Sequence, residues 1–140
     1  MKKILFILSM FLLIASASHA QTGIFAMTGA NTLALDTVTN TATKYMSGTA
    51  KGYMKTVAVQ VTFTKISGTL AGSATLQASV DGVSFYPVPG AGTFTLTDVA
   101  SQGAVWSVID SPYQFYRVSI TGSGTMAASF SGQLLNRKAL

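Results

Sequence analysis

Side chains able to move protons or hold metal ions are scarce in this sequence. It has four aspartates (Asp36, Asp81, Asp98 and Asp110), a single histidine (His19), and neither glutamate nor cysteine. Nucleophilic triads need a histidine beside the serine or cysteine, and zinc centres draw on histidine and cysteine. His19 falls in an N-terminal segment expected to be removed, so both chemistries are excluded from the remainder. A pair of aspartates can in principle cleave a glycosidic bond. Each aspartate, however, sits where a turn or strand end accounts for it: Asp81 before Gly82, Asp98 before a loop, Asp110 before Ser111-Pro112, and Asp36 beside Thr37. Aspartate is favoured at such places because its carboxylate bonds nearby backbone N–H groups. Calcium takes six to eight oxygen ligands, usually from clustered carboxylates, and these four are dispersed. Gly122-Ser123-Gly124 lacks the lysine and following helix of a phosphate loop and reads as a turn. The expectation is a non-enzymatic chain with no cofactor and no metal.

Aromatic side chains are the remaining functional handle. Trp106, Tyr113 and Phe115 are close in sequence, and exposed aromatics on a β-sandwich stack on sugars or anchor a protein partner. Trp106 shares an alternating face with Ala104 and Val108, which favours core packing; Tyr113 and Phe115 are the better candidates for an exposed contact.

The elements that position these residues are strands. In residues 53–65, Val57, Val59, Val61 and Phe63 alternate with Thr56, Ala58, Gln60, Thr62 and Thr64, the period of a strand with one buried face. Burial of those four side chains contributes on the order of 6–12 kcal/mol before entropy, at about 1.5–3 kcal/mol each. After a turn at Ser67-Gly68, the alternation resumes with Ala74, Leu76, Ala78 and Val80. Asp81-Gly82 then signals a hairpin, with residues 83–88 as its return strand. Further strands are expected at 94–97, 105–109, 113–121 and 125–135, and weaker ones at 32–38 and 42–46. Tyr116, Val118 and Ile120 form one face of their strand, and Met126, Ala128 and Phe130 point inward from theirs. Eight or nine short strands at about ten-residue spacing describe an all-β, antiparallel β-sandwich or jelly roll.

Residues 1–20 stand apart. Lys2 and Lys3 precede an apolar run from position 4 to 14 and a small-residue stretch ending at Ala20, the order of a secretory signal peptide. Ser18 and Ala20 fit cleavage after Ala20; the run is short of the ~20 residues of a membrane span. The chain is thus expected to comprise a signal peptide or hydrophobic anchor at 1–20 and one β-sandwich domain at 21–140, exported to the periplasm, cell surface or medium. Any membrane contact would come through residues 1–20 if they are retained. Beyond residue 20, seven basic residues face four acids, a net charge of 7 − 4 = +3. The basic residues are scattered, whereas a nucleic-acid face concentrates them in a stripe, so no specific nucleic acid is expected.

Residues 79–85, Ser-Val-Asp-Gly-Val-Ser-Phe, resemble the Asp-box hairpins of sialidase-like propellers, in a single copy and with Phe85 where tryptophan is usual. A broader resemblance rests on Asn40-Thr41, Ser67-Gly68-Thr69 with Gly72, Leu76-Gln77 leading to Ser79-Val80-Asp81-Gly82, Tyr116-Arg117, Gly124-Thr125 and Arg137-Lys138. In these, residues 36–138 resemble small β-rich proteins of tailed phages and prophages. The resemblance implies a virion decoration, auxiliary capsid or fibre-associated role, with self-association or incorporation into a larger assembly. The export-like segment departs from that pattern. The alternative is an exported β-sandwich module that binds glycans or surfaces through aromatic side chains.

Overall fold

Alternating side chains build two sheets that bury their inner faces against each other. The computed structural model describes residues 22–26, 28–29, 36–50 and 54–137, with side chains at 36–50 and 55–137. Within these, eleven strands run in chain order: β1 (Thr22–Ala26), β2 (Thr28–Gly29), β3 (Asp36–Thr39), β4 (Thr43–Thr49), β5 (Met54–Gly68), β6 (Gly72–Ser79), β7 (Tyr86–Pro87), β8 (Thr93–Leu96), β9 (Ser101–Ser111), β10 (Phe115–Gly122) and β11 (Met126–Arg137). The segment 1–20 and the part of the expected 32–38 strand before Asp36 lie outside the described residues.

One sheet has the order β1-β11-β5-β9, with β3 also paired to β11; the other has the order β2-β4-β10-β6-β7, with β8 also paired to β6. Every pairing is antiparallel. From β3 to β6 and from β8 to β11 each connection crosses from one sheet to the other. The fold is an all-β antiparallel sandwich.

Val57, Val59, Val61 and Phe63 of β5 are fully buried, as are Tyr116, Val118 and Ile120 of β10 across the core. Phe63 stacks on Phe94 of the opposite sheet at 6.2 Å between ring centroids and meets Phe130 at 6.4 Å. Gly132 leaves room for Met46: a Cβ there would collide with the Met46 thioether from the facing sheet. The sandwich is closed at one end by the β3–β4 turn, where Asn40 adopts φ 50°. Its N–H donates to Met126 O at 2.8 Å, and its Oδ1 accepts from Met126 N at 3.3 Å.

The expected alternation fails in one place. Ala74, Leu76 and Ala78 are buried, but Val80 is 70% exposed and Ser79 is buried in its stead. The chain leaves the sheet at Ser79 because that hydroxyl is drawn into the following turn. The return strand expected at 83–88 is correspondingly reduced to Tyr86–Pro87. Residues 83–84 are instead held by the Asp81 carboxylate, and Pro87 has no N–H to extend a ladder.

The assignment of faces predicts opposite outcomes for neighbouring substitutions. Val59→Asp buries an unpaired charge and is expected to destabilise by about 3 kcal/mol or more, whereas Gln60→Lys stays within about 0.5 kcal/mol. Urea denaturation of the two variants checks this; equal midpoints would contradict the faces described.

Candidate functional site

Three surface features are built from named side chains: a loop-end cavity, the outer face of the β4-β10-β6 sheet, and the outer face of the β11-β5-β9 sheet.

The cavity, of about 510 Å³, opens beside the β6–β7 turn and is lined by residues including Asp81, Ser84, Tyr86, Pro89 and Tyr113. Its wall is a hydrogen-bonded loop. Asp81 Oδ1 accepts from Ser79 Oγ at 2.6 Å, Val83 N at 2.9 Å and Ser84 N at 2.8 Å. Ser79 Oγ in turn accepts from Asp81 N at 3.2 Å and Gly82 N at 2.9 Å. Gly82 carries φ 75°, which strains any residue with a side chain. The Ser79 hydroxyl first, and then the two backbone N–H groups, hold the Asp81 carboxyl well below the usual carboxylate range. Asp81 is therefore a turn-holding anion.

Tyr113 reaches the cavity from the β9–β10 connection. Asp110 has φ 47°, and beyond this twist the Ser111 side chain turns inward, 2% exposed. Ser111 Oγ shares a buried hydrogen bond with Tyr116 Oη and accepts from Tyr113 N at 3.2 Å. The Tyr113 ring meets Tyr116 edge-on at 6.4 Å. Burial pushes the Tyr116 phenol above its ordinary value, so it stays neutral.

On the outer face of the β4-β10-β6 sheet, Arg117 lies between two rings, its guanidinium carbon 4.2 Å from the Tyr45 centroid and 4.3 Å from that of Phe85. Its Nε donates to Gln77 Oε1 at 2.6 Å. Thr43 and Thr121 share a hydroxyl hydrogen bond at 3.0 Å nearby. Each cation–π contact contributes about 0.5–1 kcal/mol at an exposed site, so Arg117 is held in one pose.

The outer face of the other sheet is different in character. Register places Leu135 beside Ala58 and Ser107, and Gln133 beside Gln60 and Val105. Ala58, Gln60, Val105, Gln133 and Leu135 line a shallow groove of about 230 Å³. Val105 is 65% and Ile109 70% exposed, and Leu135 is exposed as well.

The three residues singled out in the sequence are thus separated. Trp106 is 6% exposed and belongs to the core. Phe115 is half-buried beneath the Asp81 turn, where a Cβ on Gly82 would touch its ring at 3.4 Å. Tyr113 lines the cavity. Sequence reasoning missed Tyr86, the Tyr45–Arg117–Phe85 stack, and the Val105, Ile109 and Leu135 strip. The strip left a trace, since Val105 and Ile109 stand out of phase with Trp106; the stack did not, because its members come from separate strands and a loop.

The remaining aspartates are also engaged. Asp98 Oδ1 accepts from Lys65 Nζ at 2.7 Å and Leu70 N at 2.8 Å, and the Lys65 ammonium chiefly lowers its pKa. Asp36 Oδ1 accepts from Thr37 N at 2.7 Å and lies 3.8 Å from Lys44 Nζ, and Asp110 lies 3.6 Å from Lys55 Nζ. Among the described residues, no group of three or more metal-ligating side chains comes together.

The geometry defines a β-sandwich whose outward features are faces and a loop cavity. No protein-family model matches the chain, and no curated protein does. Among solved structures it resembles the VP2 subviral particle of infectious bursal disease virus, with a TM-score of 0.55 at 13% identity over 86% of this chain and 33% of that one. A chain of the Gx strain of the same virus gives 0.54 at 13% identity over 86% and 32%. A xylan-binding domain from Paenibacillus barcinonensis gives 0.43 at 9% identity over 84% and 88%. The chain spans about a third of the length of the viral chains, and the likeness to them is one of fold.

The Asp81 turn sets a pH dependence. Its folded pKa is depressed, so its stabilising contribution is complete above the unfolded carboxylate value of about 3.9 and fades as pH falls below it. Asp81→Ala is expected to speed amide exchange at Val83 and Ser84 at pH 7. The variant should also lose less of its urea midpoint than the parent between pH 5 and pH 2. An unchanged exchange rate would contradict the turn-holding role.

Proposed function

We propose that this chain is a non-enzymatic assembly protein, a β-sandwich that packs through a sheet face against copies of itself or on a larger particle. The finer reading is a virion decoration or auxiliary component of the tailed-phage kind, or, if residues 1–20 direct export, a component of an extracellular assembly. The observation that carries the proposal is the outer face of the β11-β5-β9 sheet, where Val105, Ile109 and Leu135 are exposed around Ala58, with Ser107, Gln60, Gln133 and Arg137 as their polar neighbours. A contiguous apolar surface rimmed by polar residues is the signature of a protein contact. The fold likeness to chains of viral particles supports the same reading without specifying it. Among the described residues the four aspartates are committed to intramolecular partners, which accords with a role in packing rather than catalysis.

A second reading, glycan binding, rests on the cavity beside Asp81. Tyr86 is 70% exposed there, with Tyr113 and Pro89 nearby, and a sugar ring stacks on such surfaces while its hydroxyls bond carboxylate and serine oxygens.

Size-exclusion chromatography with light scattering, followed by a glycan array, separates the two. Assembly gives concentration-dependent oligomers, insensitive to Tyr86→Ala. Glycan binding gives a monomer whose array signal falls at least tenfold in Tyr86→Ala. A strict monomer up to millimolar concentration would overturn the assembly reading.

A further inference from the structure

The edges of the two sheets are treated differently. In the β2-β4-β10-β6-β7 sheet, one edge has the two-residue β2 and the other the short β7 and β8, with Pro87 in β7. Short strands and proline are the usual protections of an edge. In the other sheet, one side of β11 is covered by β1 and β3, while the far edge is the whole of β9. Among the described residues no strand pairs with its outer side. Its eleven residues include no proline, lysine or arginine, and one charge, Asp110, which faces Lys55 of the same chain at 3.6 Å.

The ladder fixes which backbone groups are free. Thr64 stands opposite Ser101, and Lys65 N donates to Ala100 O at 3.0 Å. The even-numbered residues of β9 therefore direct N–H and C=O to β5, and Ser101, Gly103, Val105, Ser107 and Ile109 direct theirs outward. These five also present their side chains on the outer face. Asp110, at φ 47°, ends the regular stretch, so the open row runs from Ser101 to Ile109 with Val105 at its centre.

We propose that β9 pairs antiparallel with β9 of a second copy about a two-fold axis through Val105. The inference rests on the assembly reading and names its partner and contact. Val105 then faces its own symmetry mate, Gly103 faces Ser107, and Ser101 faces Ile109. About ten backbone hydrogen bonds close the five facing pairs. The contact is self-complementary, as a two-fold interface must be. Asp110 falls outside the paired stretch, so no like charges oppose each other. The joined sheet runs β11-β5-β9 into β9-β5-β11 of the second copy, and the two apolar strips become one surface centred on paired valines.

Because the chain contains no cysteine, single cysteines report the contact cleanly. Nitroxide labels at Ser107→Cys fall four residues apart along the joined ladder, about 14 Å between backbones, and labels at Ser101→Cys eight residues apart, about 28 Å. Val105→Lys and Ser107→Pro block pairing from the side chain and from the backbone, and both sites point away from the core. The expected result is a dimer or higher oligomer in the parent, monomers in both variants with thermal unfolding of the monomeric fold retained, and a shorter label distance at 107 than at 101. Oligomers that persist in both variants, or a label distance longer at 107 than at 101, would overturn the β9 contact and leave the assembly reading standing. A monomeric parent at every concentration would overturn both.

Discussion

The structure depends on one contact, the burial of the inner face of β5 against the inner face of β10. Val57, Val59, Val61 and Phe63 meet a facing strand whose Tyr116, Val118 and Ile120 are as fully enclosed. Both strands are interior to their sheets, with β11 and β9 flanking β5, and β4 and β6 flanking β10. The neighbouring β6, β9 and β11 extend these two and bury side chains of their own. Because the long strands alternate between sheets, forming either sheet requires the other, and the sandwich orders as a unit. The absence of disulfides leaves that packing as the main source of stability.

Sealing the interior in this way determines what remains for function. Alternation leaves the intervening side chains outside, and the two outer faces have diverged. On one, Arg117 is fixed by Tyr45, Phe85 and Gln77, so its charge is already partnered by chemistry from its own chain. On the other, Val105, Ile109 and Leu135 are exposed apolar side chains with Arg137 at their margin. A charged, self-satisfied face stays soluble beside any neighbour, whereas an apolar one gains from contact.

Much of the fold was legible because period-two alternation is a strong signal when β-branched and aromatic residues carry it. β5, β10 and β11 appear with their inward residues as read, and Trp106 falls in the core through its phase with Ala104 and Val108. The failure at Val80 is instructive. A local hydrogen-bond network, Ser79 hydroxyl with Asp81 carboxylate and four backbone N–H groups, outcompeted continuation of the strand, so a serine was buried and a valine exposed. Asp81-Gly82 correctly marked a reversal, but the reversal is a side-chain-stabilised loop rather than a two-residue turn, which is why the expected return strand shrank to Tyr86–Pro87. The surface features were less legible, since the Tyr45–Arg117–Phe85 stack joins residues far apart in the chain and becomes visible only once β4 and β6 flank β10.

The same physics explains why the loops are so heavily bonded in a molecule with few charges. Asp98 ties Lys65 and the Leu70 backbone together where β5 passes to β6, and Asp81 organises the turn after β6. Asn40 bridges the β3–β4 turn to the start of β11 through both its N–H and its carbonyl oxygen. Asp81, Asp98 and Asn40 are thus spent on fixing chain reversals, while most of the described charges, Lys44, Lys55, Lys65 and Arg117 among them, lie on the strands. Among the described residues every aspartate bonds or pairs within its own chain, so the few carboxylates serve the frame that holds the two sheets together.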